Sequence, residues 1–193
     1  LNLYSKEIYI FTPNGDLIPF LIQDDFSVAQ ILHARKVLES LLTNNPGNGW
    51  GNDKTNMTNA IGASNAILFL LNDEDEYENP DLWALMDAGV DGQDLLAMEV
   101  FPEGSPQYMS SSERDASYEE ILHFVHGFGI QLAIPAMQNA IISVMNNAIS
   151  NNLYNPLNDL PEEDYDEEYL AMGLECYFGL WAHDPNGNGY CGD

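Results

Sequence analysis

Basic residues are scarce in this sequence. Five Lys and Arg stand against 31 Asp and Glu, which gives a formal net charge of -26. Binding to nucleic-acid backbones or to anionic membranes needs clustered cations, so this composition argues strongly against both kinds of partner. We expect divalent cations instead, together with a protein or peptide substrate or other extracellular proteins. Because so large a charge repels itself, we also expect the fold to depend on screening salt or bound divalent ions.

Long apolar runs are lacking as well. The longest covers residues 66–71, far short of the roughly 18 residues that a membrane-spanning helix needs. The chain begins at Leu1 rather than Met and has no charged-then-apolar leader, which indicates a processed mature chain or a piece of a longer one. A length of 193 residues with 45% hydrophobic content is enough for one sizeable core. We predict a single domain over residues 1–193 and a secreted or extracellular protein.

Cysteine is nearly absent. Cys176 and Cys191 are the only two, and a close pair near one end of an acidic chain is more typical of a disulfide than of a metal site, which would use more thiols. Such a bridge would close a loop of about 15 residues and contribute on the order of 3 kcal/mol. Asn56 begins an N-glycosylation acceptor pattern with Met57 and Thr58, which also fits an exported protein.

Turn residues and apolar periodicity predict an α+β fold. Aromatic and β-branched runs at 8–11 and 17–22 flank turn residues and indicate a hairpin, with Pro19 marking a sheet edge. Ser27 and Gln30 have the spacing of a capping box at the start of a helix that should reach about residue 42. Further strands are predicted at 66–71 and 95–101, and further helices near 55–61, 116–129, 135–150 and 163–181. We expect a small mixed sheet packed by these helices.

The stretch 116–129 holds two of the four histidines beside a pair of carboxylates. On a helix that advances about 100° per residue, Glu119, His123 and His126 share one stripe, and the apolar residues cluster on the far side. This pattern predicts a helix whose back lies in a core and whose ligand-type side chains face a cleft or solvent.

A possible partner for these histidines lies in the predicted last helix. Most residues of that helix are apolar, and Glu168 and Glu175, seven residues apart, share one stripe of it. Burying a lone carboxylate is costly, so such a residue usually has a cation, a metal or a hydrogen-bonding partner. A metal held jointly with His123 and either Glu119 or His126 would serve Glu168, since zinc takes three protein ligands and a water. Alternatively, both glutamates lie on the exposed side of a surface helix.

The segment Glu119-Glu120-x-x-His123 resembles the His-Glu-x-x-His zinc helix of metallopeptidases with glutamate in place of the first histidine. Residues 168–171 resemble the downstream helix that supplies a glutamate ligand, and the order is similar to that of the gluzincin group, most of all the anthrax lethal factor catalytic domain. The resemblance implies a zincin-like pair of facing helices, zinc on the later ligands His123 and Glu168, and Glu120 as the base that polarises a bound water against a peptide carbonyl. Residues 52–72 and 114–130 also resemble secreted proteins of aquatic microbes, which implies no particular activity.

The glutamate at the first ligand position leaves several hypotheses open. A carboxylate can bind zinc, but Glu119 makes the site more anionic and lowers its Lewis acidity, which favours a decayed enzyme over an active peptidase. His126, one turn beyond, is an alternative ligand. Ser117 to Glu120 also has capping-box spacing, in which Glu120 would simply close back on the Ser117 amide.

The tail carries an independent calcium signal. Oxygen ligands fall at positions one, three and five of a loop, with glycine at six and a backbone carbonyl at seven, as in the start of an EF-hand: Asp184, Asn186, Asn188 and Tyr190. The bidentate last position would fall beyond Asp193, so the loop at 184–193 is truncated, is completed by Asp193 in some other way, or is simply a polar turn. Two functions therefore stand as hypotheses. One is a secreted zincin-like metalloprotein, either a peptide hydrolase or a decayed version; the other is a non-enzymatic, calcium-dependent extracellular structural or adhesive protein.

Overall fold

The computed structural model of this chain describes residues 3–110, 115–156 and 160–179. It opens with the predicted hairpin, in which β1 (Lys6–Phe11) and β2 (Leu17–Ile22) pair antiparallel. In the turn between them, Gly15 has a φ of 94°, which glycine adopts without strain.

The hairpin continues into a mixed sheet of four strands in the order β1-β2-β3-β4. β3 (Ile67–Leu71) pairs in parallel with β2, and β4 (Gly92–Leu96) pairs in parallel with β3. The expectation that Pro19 marks a sheet edge is wrong, because β2 has a neighbour on each side. Its pairing with β3 begins only at Phe20, so the missing amide of Pro19 is not needed there.

The predicted strand at 95–101 is shifted in the structure. β4 begins at Gly92, and a 3-10 turn at Ala97–Glu99 ends it. A Cβ added at Gly92 would lie 1.9 Å from the Ile67 carbonyl oxygen, so only glycine allows β4 to approach β3 this closely.

Helices alternate with the later strands along the chain and continue beyond β4. α1 (Val28–Leu42) starts at Ser27 with the predicted capping box to Gln30, and α2 (Thr55–Ser64) follows a long loop. A 3-10 turn at Glu74–Glu78 and then α3 (Pro80–Asp87) connect β3 to β4, and α4 (Pro106–Ser110) is a short helix beyond the sheet.

The candidate stretch forms α5 (Ser117–Val125), which continues through a π-helical segment at His126–Ile130 and a last turn, α6 (Gln131–Ala133). α7 (Pro135–Ser150) follows, with proline in its first turn as predicted. A 3-10 turn at Glu162–Asp164 then precedes α8 (Tyr165–Phe178). No single helix of the described residues is long and apolar enough to cross a membrane, and α5 with α6 and α7 meets those criteria only as a pair bent by 119°.

The largest apolar core lies between one face of the sheet and helices α1, α2 and α5. Its fully buried members include Ile18, Phe20, Leu38, Ile61, Leu68, Ile121 and Phe124. A smaller cluster on the other face contains Phe69, Leu71, Leu82 and Leu96. The predicted apolar back of α5 is therefore in the core, and α5 also packs against β4 and α8. The α+β architecture is confirmed, and it brings the carboxylate and histidine side of α5 to α8.

Candidate metal centre

Three residues from α5 and α8 form a group that could hold a metal ion. Glu119, His123 and Glu168 each offer one ligand-type atom, and these atoms all lie within 4.8 Å of one another. His123 is buried and the two glutamates are half-buried. Imidazole nitrogen with carboxylate oxygen is a donor set that zinc and other divalent transition ions accept.

The predicted partnership between the two helices is present in the structure. Glu168 Oε1 lies 3.8 Å from His123 Nε2. Glu175, two helical turns further along α8, is only 4% exposed. The alternative that both glutamates lie on the solvent side of a surface helix is therefore wrong.

His123 presents a different nitrogen to each of two carboxylates. Its Nδ1 lies 3.7 Å from Glu120 Oε2, whereas its Nε2 is buried and has no hydrogen-bond partner. Gln93 of β4 fixes Glu120 by donating from Nε2 to Oε2 at 2.8 Å. A carboxylate at one ring nitrogen orients the imidazole so that the other nitrogen presents its lone pair to a metal. Nε2 is thus the ligand atom that this arrangement makes available.

Negative charge around the imidazole changes how the site holds a proton. Burial lowers the pKa of His123, but the nearby carboxylates of Glu120 and Glu168 outweigh burial and raise that pKa to about 9. Burial raises the pKa of the Glu168 carboxyl, His123 lowers it, and Glu119 raises it further. The group therefore favours a cation at its centre, whether a proton or a metal ion.

His126 lies apart from this group. It is fully buried, with Nε2 at 2.7 Å from Gln138 Oε1 and 3.4 Å from Asp166 Oδ2. Its Nδ1 lies 3.8 Å from Glu167 Oε2 and has no hydrogen-bond partner. His123 and His126 were expected to face a cleft or solvent, and both are buried because α8 packs over this side of α5. A role for His126 as a metal ligand stays a prediction.

Asp115 accepts hydrogen bonds from the first residue of α5. Its Oδ1 accepts hydrogen bonds from the Ser117 amide at 3.2 Å and the Ser117 hydroxyl at 2.6 Å, and its Oδ2 lies 2.7 Å from His33 Nε2. Glu120 instead accepts from Gln93. The capping-box alternative for Glu120 is therefore wrong, and this carboxylate is directed toward the candidate centre.

Four polar residues of this region were not predicted from the sequence to belong to the site. Gln93 and Gln138 come from β4 and α7, and neither has a spacing relation to the histidines. Asp166 and Glu167 precede Glu168 in one acidic run, which was a usable signal because the run opens α8. Amide side chains carry no such signal, since they are common on any surface.

Several predicted sites remain untested. Asp184, Asn186, Asn188 and Tyr190 of the calcium loop lie outside the described residues, as does Cys191. The calcium loop and the disulfide to Cys176 of α8 therefore stay predictions. Asn56 is exposed in the first turn of α2, and its glycosylation also stays a prediction.

Fold and site together define an α+β protein with a candidate metal centre between two packed helices. Comparisons with protein-family models, curated proteins and solved structures find no significant match to this chain. The gluzincin resemblance therefore stays a prediction that rests on the quoted motif residues.

Proposed function

We propose that this protein is a zincin-like metalloprotein that binds one divalent transition ion of the zinc class through Glu119, His123 Nε2 and Glu168. The observation that carries this proposal is the convergence of three ligand-type atoms on a buried imidazole that has no hydrogen-bond partner at Nε2. Three protein ligands leave a fourth position for water, as in zinc sites that act on substrates. The packing of α5 on α8 supports the zincin-like arrangement of two facing helices.

We propose further that the protein is a decayed peptidase. Two carboxylates offset the charge of the ion, so a water bound to it is a weaker acid than one bound at a histidine-rich site. Glu120, the base that the gluzincin resemblance implies, faces His123 Nδ1 and is held by Gln93. This position supports an orienting role for Glu120 toward His123. We expect metal binding with little or no peptide hydrolysis.

We place this activity outside the cell. The net charge of -26, the two cysteines and the acceptor pattern at Asn56 support secretion. An extracellular setting supplies the salt and divalent ions that so acidic a chain needs for stability.

Metal content is the direct test. Protein loaded with zinc and dialysed extensively should retain at least one tightly bound zinc per chain, measured by inductively coupled plasma mass spectrometry. His123→Ala and Glu168→Gln should each remove it. Glu163→Gln is the matched control, because Glu163 is an exposed carboxylate just before α8 and should not affect zinc. Loss of zinc in the control, or retention in both site variants, contradicts the assignment.

A peptidase assay separates the decayed enzyme from an active one. Zinc-loaded protein should cleave an unfolded protein substrate no faster than background. Rapid cleavage that Glu120→Gln abolishes while zinc remains bound would instead make Glu120 the catalytic base. Purified protein that carries calcium and no transition ion would favour the calcium-dependent structural or adhesive function.

A further inference from the structure

We propose a second cation position beside the first, between His126 Nδ1 and Glu167 Oε2. The proposal rests on the proposed function, because both positions lie where α8 meets α5 and the first residue of the π-helical segment that continues it. His126 is fully buried, its Nδ1 has no hydrogen-bond partner, and Glu167 Oε2 lies 3.8 Å from Nδ1.

The tautomer of neutral His126 follows from its neighbours. Gln138 Nε2 donates to Asp166 Oδ2, so the other end of the amide, Oε1, faces His126 Nε2 at 2.7 Å. An amide oxygen only accepts hydrogen bonds, so Nε2 must carry the hydrogen. The other nitrogen of a neutral imidazole then carries a lone pair. Nδ1 is therefore a ligand atom aimed at Glu167.

A cation between two acceptors that face each other would satisfy both of them. A direct N–H···O bond would bring the two heavy atoms to roughly 2.7–3.2 Å, and the observed separation of Nδ1 from Glu167 Oε2 is 3.8 Å. Zinc bonds of about 2.0–2.2 Å at tetrahedral angles separate two ligand atoms by roughly 3.4 Å. The observed gap is thus closer to the spacing of two ligands than to that of a hydrogen bond.

The same arrangement occurs twice along these helices. His123 Nε2 and His126 Nδ1 are both buried and unpartnered, and each lies 3.8 Å from one of two successive glutamates of α8, Glu168 and Glu167. The remaining nitrogen of each histidine faces a polar pair that includes a glutamine and a carboxylate. Such outer partners fix ring orientation in metal sites. The repetition indicates a paired-ion centre for divalent transition ions such as zinc, cobalt or manganese.

Zinc stoichiometry and affinity test this second position. Equilibrium dialysis of the full chain against buffered zinc should give two ions per chain. The second ion should bind about tenfold or more weakly than the first, because it has two protein ligands rather than three. Glu167→Gln and His126→Ala should each remove the weaker ion and keep the tighter one. Far-ultraviolet circular dichroism checks that each variant is folded, and Glu167→Gln preserves side-chain size in case His126→Ala does not fold.

The outcomes separate this proposal from the first. One zinc per chain, lost in His123→Ala and unchanged in Glu167→Gln, overturns the second position and leaves the first. Two zinc ions that persist in folded Glu167→Gln protein place the second ion elsewhere and also overturn it. Absence of bound zinc in the unmodified chain removes both proposals. Glu163→Gln, which alters a nearby exposed carboxylate, should keep both ions.

Discussion

At His123, protonation would compete with the proposed metal binding. Its pKa in the fold is about 9, against an ordinary value of 6.5, because the charges of nearby glutamates outweigh its burial. A raised pKa means that the folded state holds this proton more tightly than the unfolded state does. The proton is thus part of what stabilises the metal-free protein.

The stability of the metal-free protein should therefore fall as pH rises. The contribution of protonated His123 is fully present below about pH 6.5 and is lost as pH rises through about 9. The free energy of unfolding should drop over that window by on the order of 1 to 3 kcal/mol. Urea unfolding with a chelator present, at several pH values, measures this. His123→Gln should flatten the dependence, and an unchanged slope in that variant would assign the effect to other groups.

We expect Gln93 to act on the candidate centre through Glu120. Its side-chain amide donates to Glu120 Oε2, which in turn lies 3.7 Å from His123 Nδ1. Removing an outer partner of a metal ligand typically weakens metal binding by roughly 10- to 100-fold. Gln93→Leu should weaken zinc binding by that factor, as measured by competition with a chromophoric chelator. Gln131→Leu, at an exposed glutamine of α6, is the matched control, and equal zinc affinities in the two variants would refute the positioning role.

The π-helical segment after α5 packs closely on α2. A Cβ at Gly129 would lie 2.8 Å from Met57 Cγ and 3.0 Å from Ile61 Cδ1, and both of these side chains are buried. A Cβ at Gly127, two residues earlier in the same segment, would meet nothing within 4 Å. The two glycines therefore offer a matched pair for testing this contact.

Alanine at these two positions should have opposite effects. Gly129→Ala should destabilise the fold by about 1–3 kcal/mol, because the added methyl overpacks a buried contact. Gly127→Ala should be neutral or stabilise by up to about 1 kcal/mol, because alanine favours helix. Urea midpoints at fixed pH give the comparison. Equal destabilisation by both variants would mean that helix geometry, rather than contact with α2, requires glycine here.

Caps, turn residues and prolines correctly predicted where several helices and strands begin, because these residues act on the backbone next to them. The capping box at Ser27, the turn before β2 and Pro135 each act through their own backbone neighbours, and each lies where expected. β4 was misplaced because its start depends on how closely Gly92 approaches β3, a contact between distant segments. Pro19 was misjudged for the same reason, since strand order is not a local property.

In the candidate site too, contacts between distant segments were the part that the sequence did not predict. The sequence was enough to predict that Glu168 lies near the ligand-type residues of α5. Few Lys and Arg are present to balance a half-buried glutamate, so a shared metal ion was the expected partner. Gln138 could not be found this way, since it reaches His126 from α7 only after the bend that follows α6. The π-helical segment that starts at His126 also departs from the regular helix on which the stripe was drawn.

For the whole molecule, the dominant feature is the excess of 31 acidic over 5 basic residues. Ion pairs cannot offset it, and the exposed Arg35–Glu39 pair within α1 contributes little. Self-repulsion of this kind weakens the compact state and is reduced by screening. Added salt should therefore stabilise the protein, and a bound ion should stabilise it through a separate route.

These two routes can be resolved in one thermal unfolding experiment. Raising ionic strength from about 0.01 to 0.15 M shortens the Debye length from about 30 Å to about 8 Å, so sodium chloride should raise the unfolding temperature of both the natural chain and Glu168→Gln. At a thousandfold excess over the dissociation constant of the site with Glu168, and at constant ionic strength, zinc should stabilise the natural chain about 4 kcal/mol more than Glu168→Gln. Zinc binds the native site rather than the overall charge if its effect is reduced by about this amount in Glu168→Gln while the sodium chloride effect persists. Equal zinc stabilisation of both chains would mean that zinc acts here only as another screening cation.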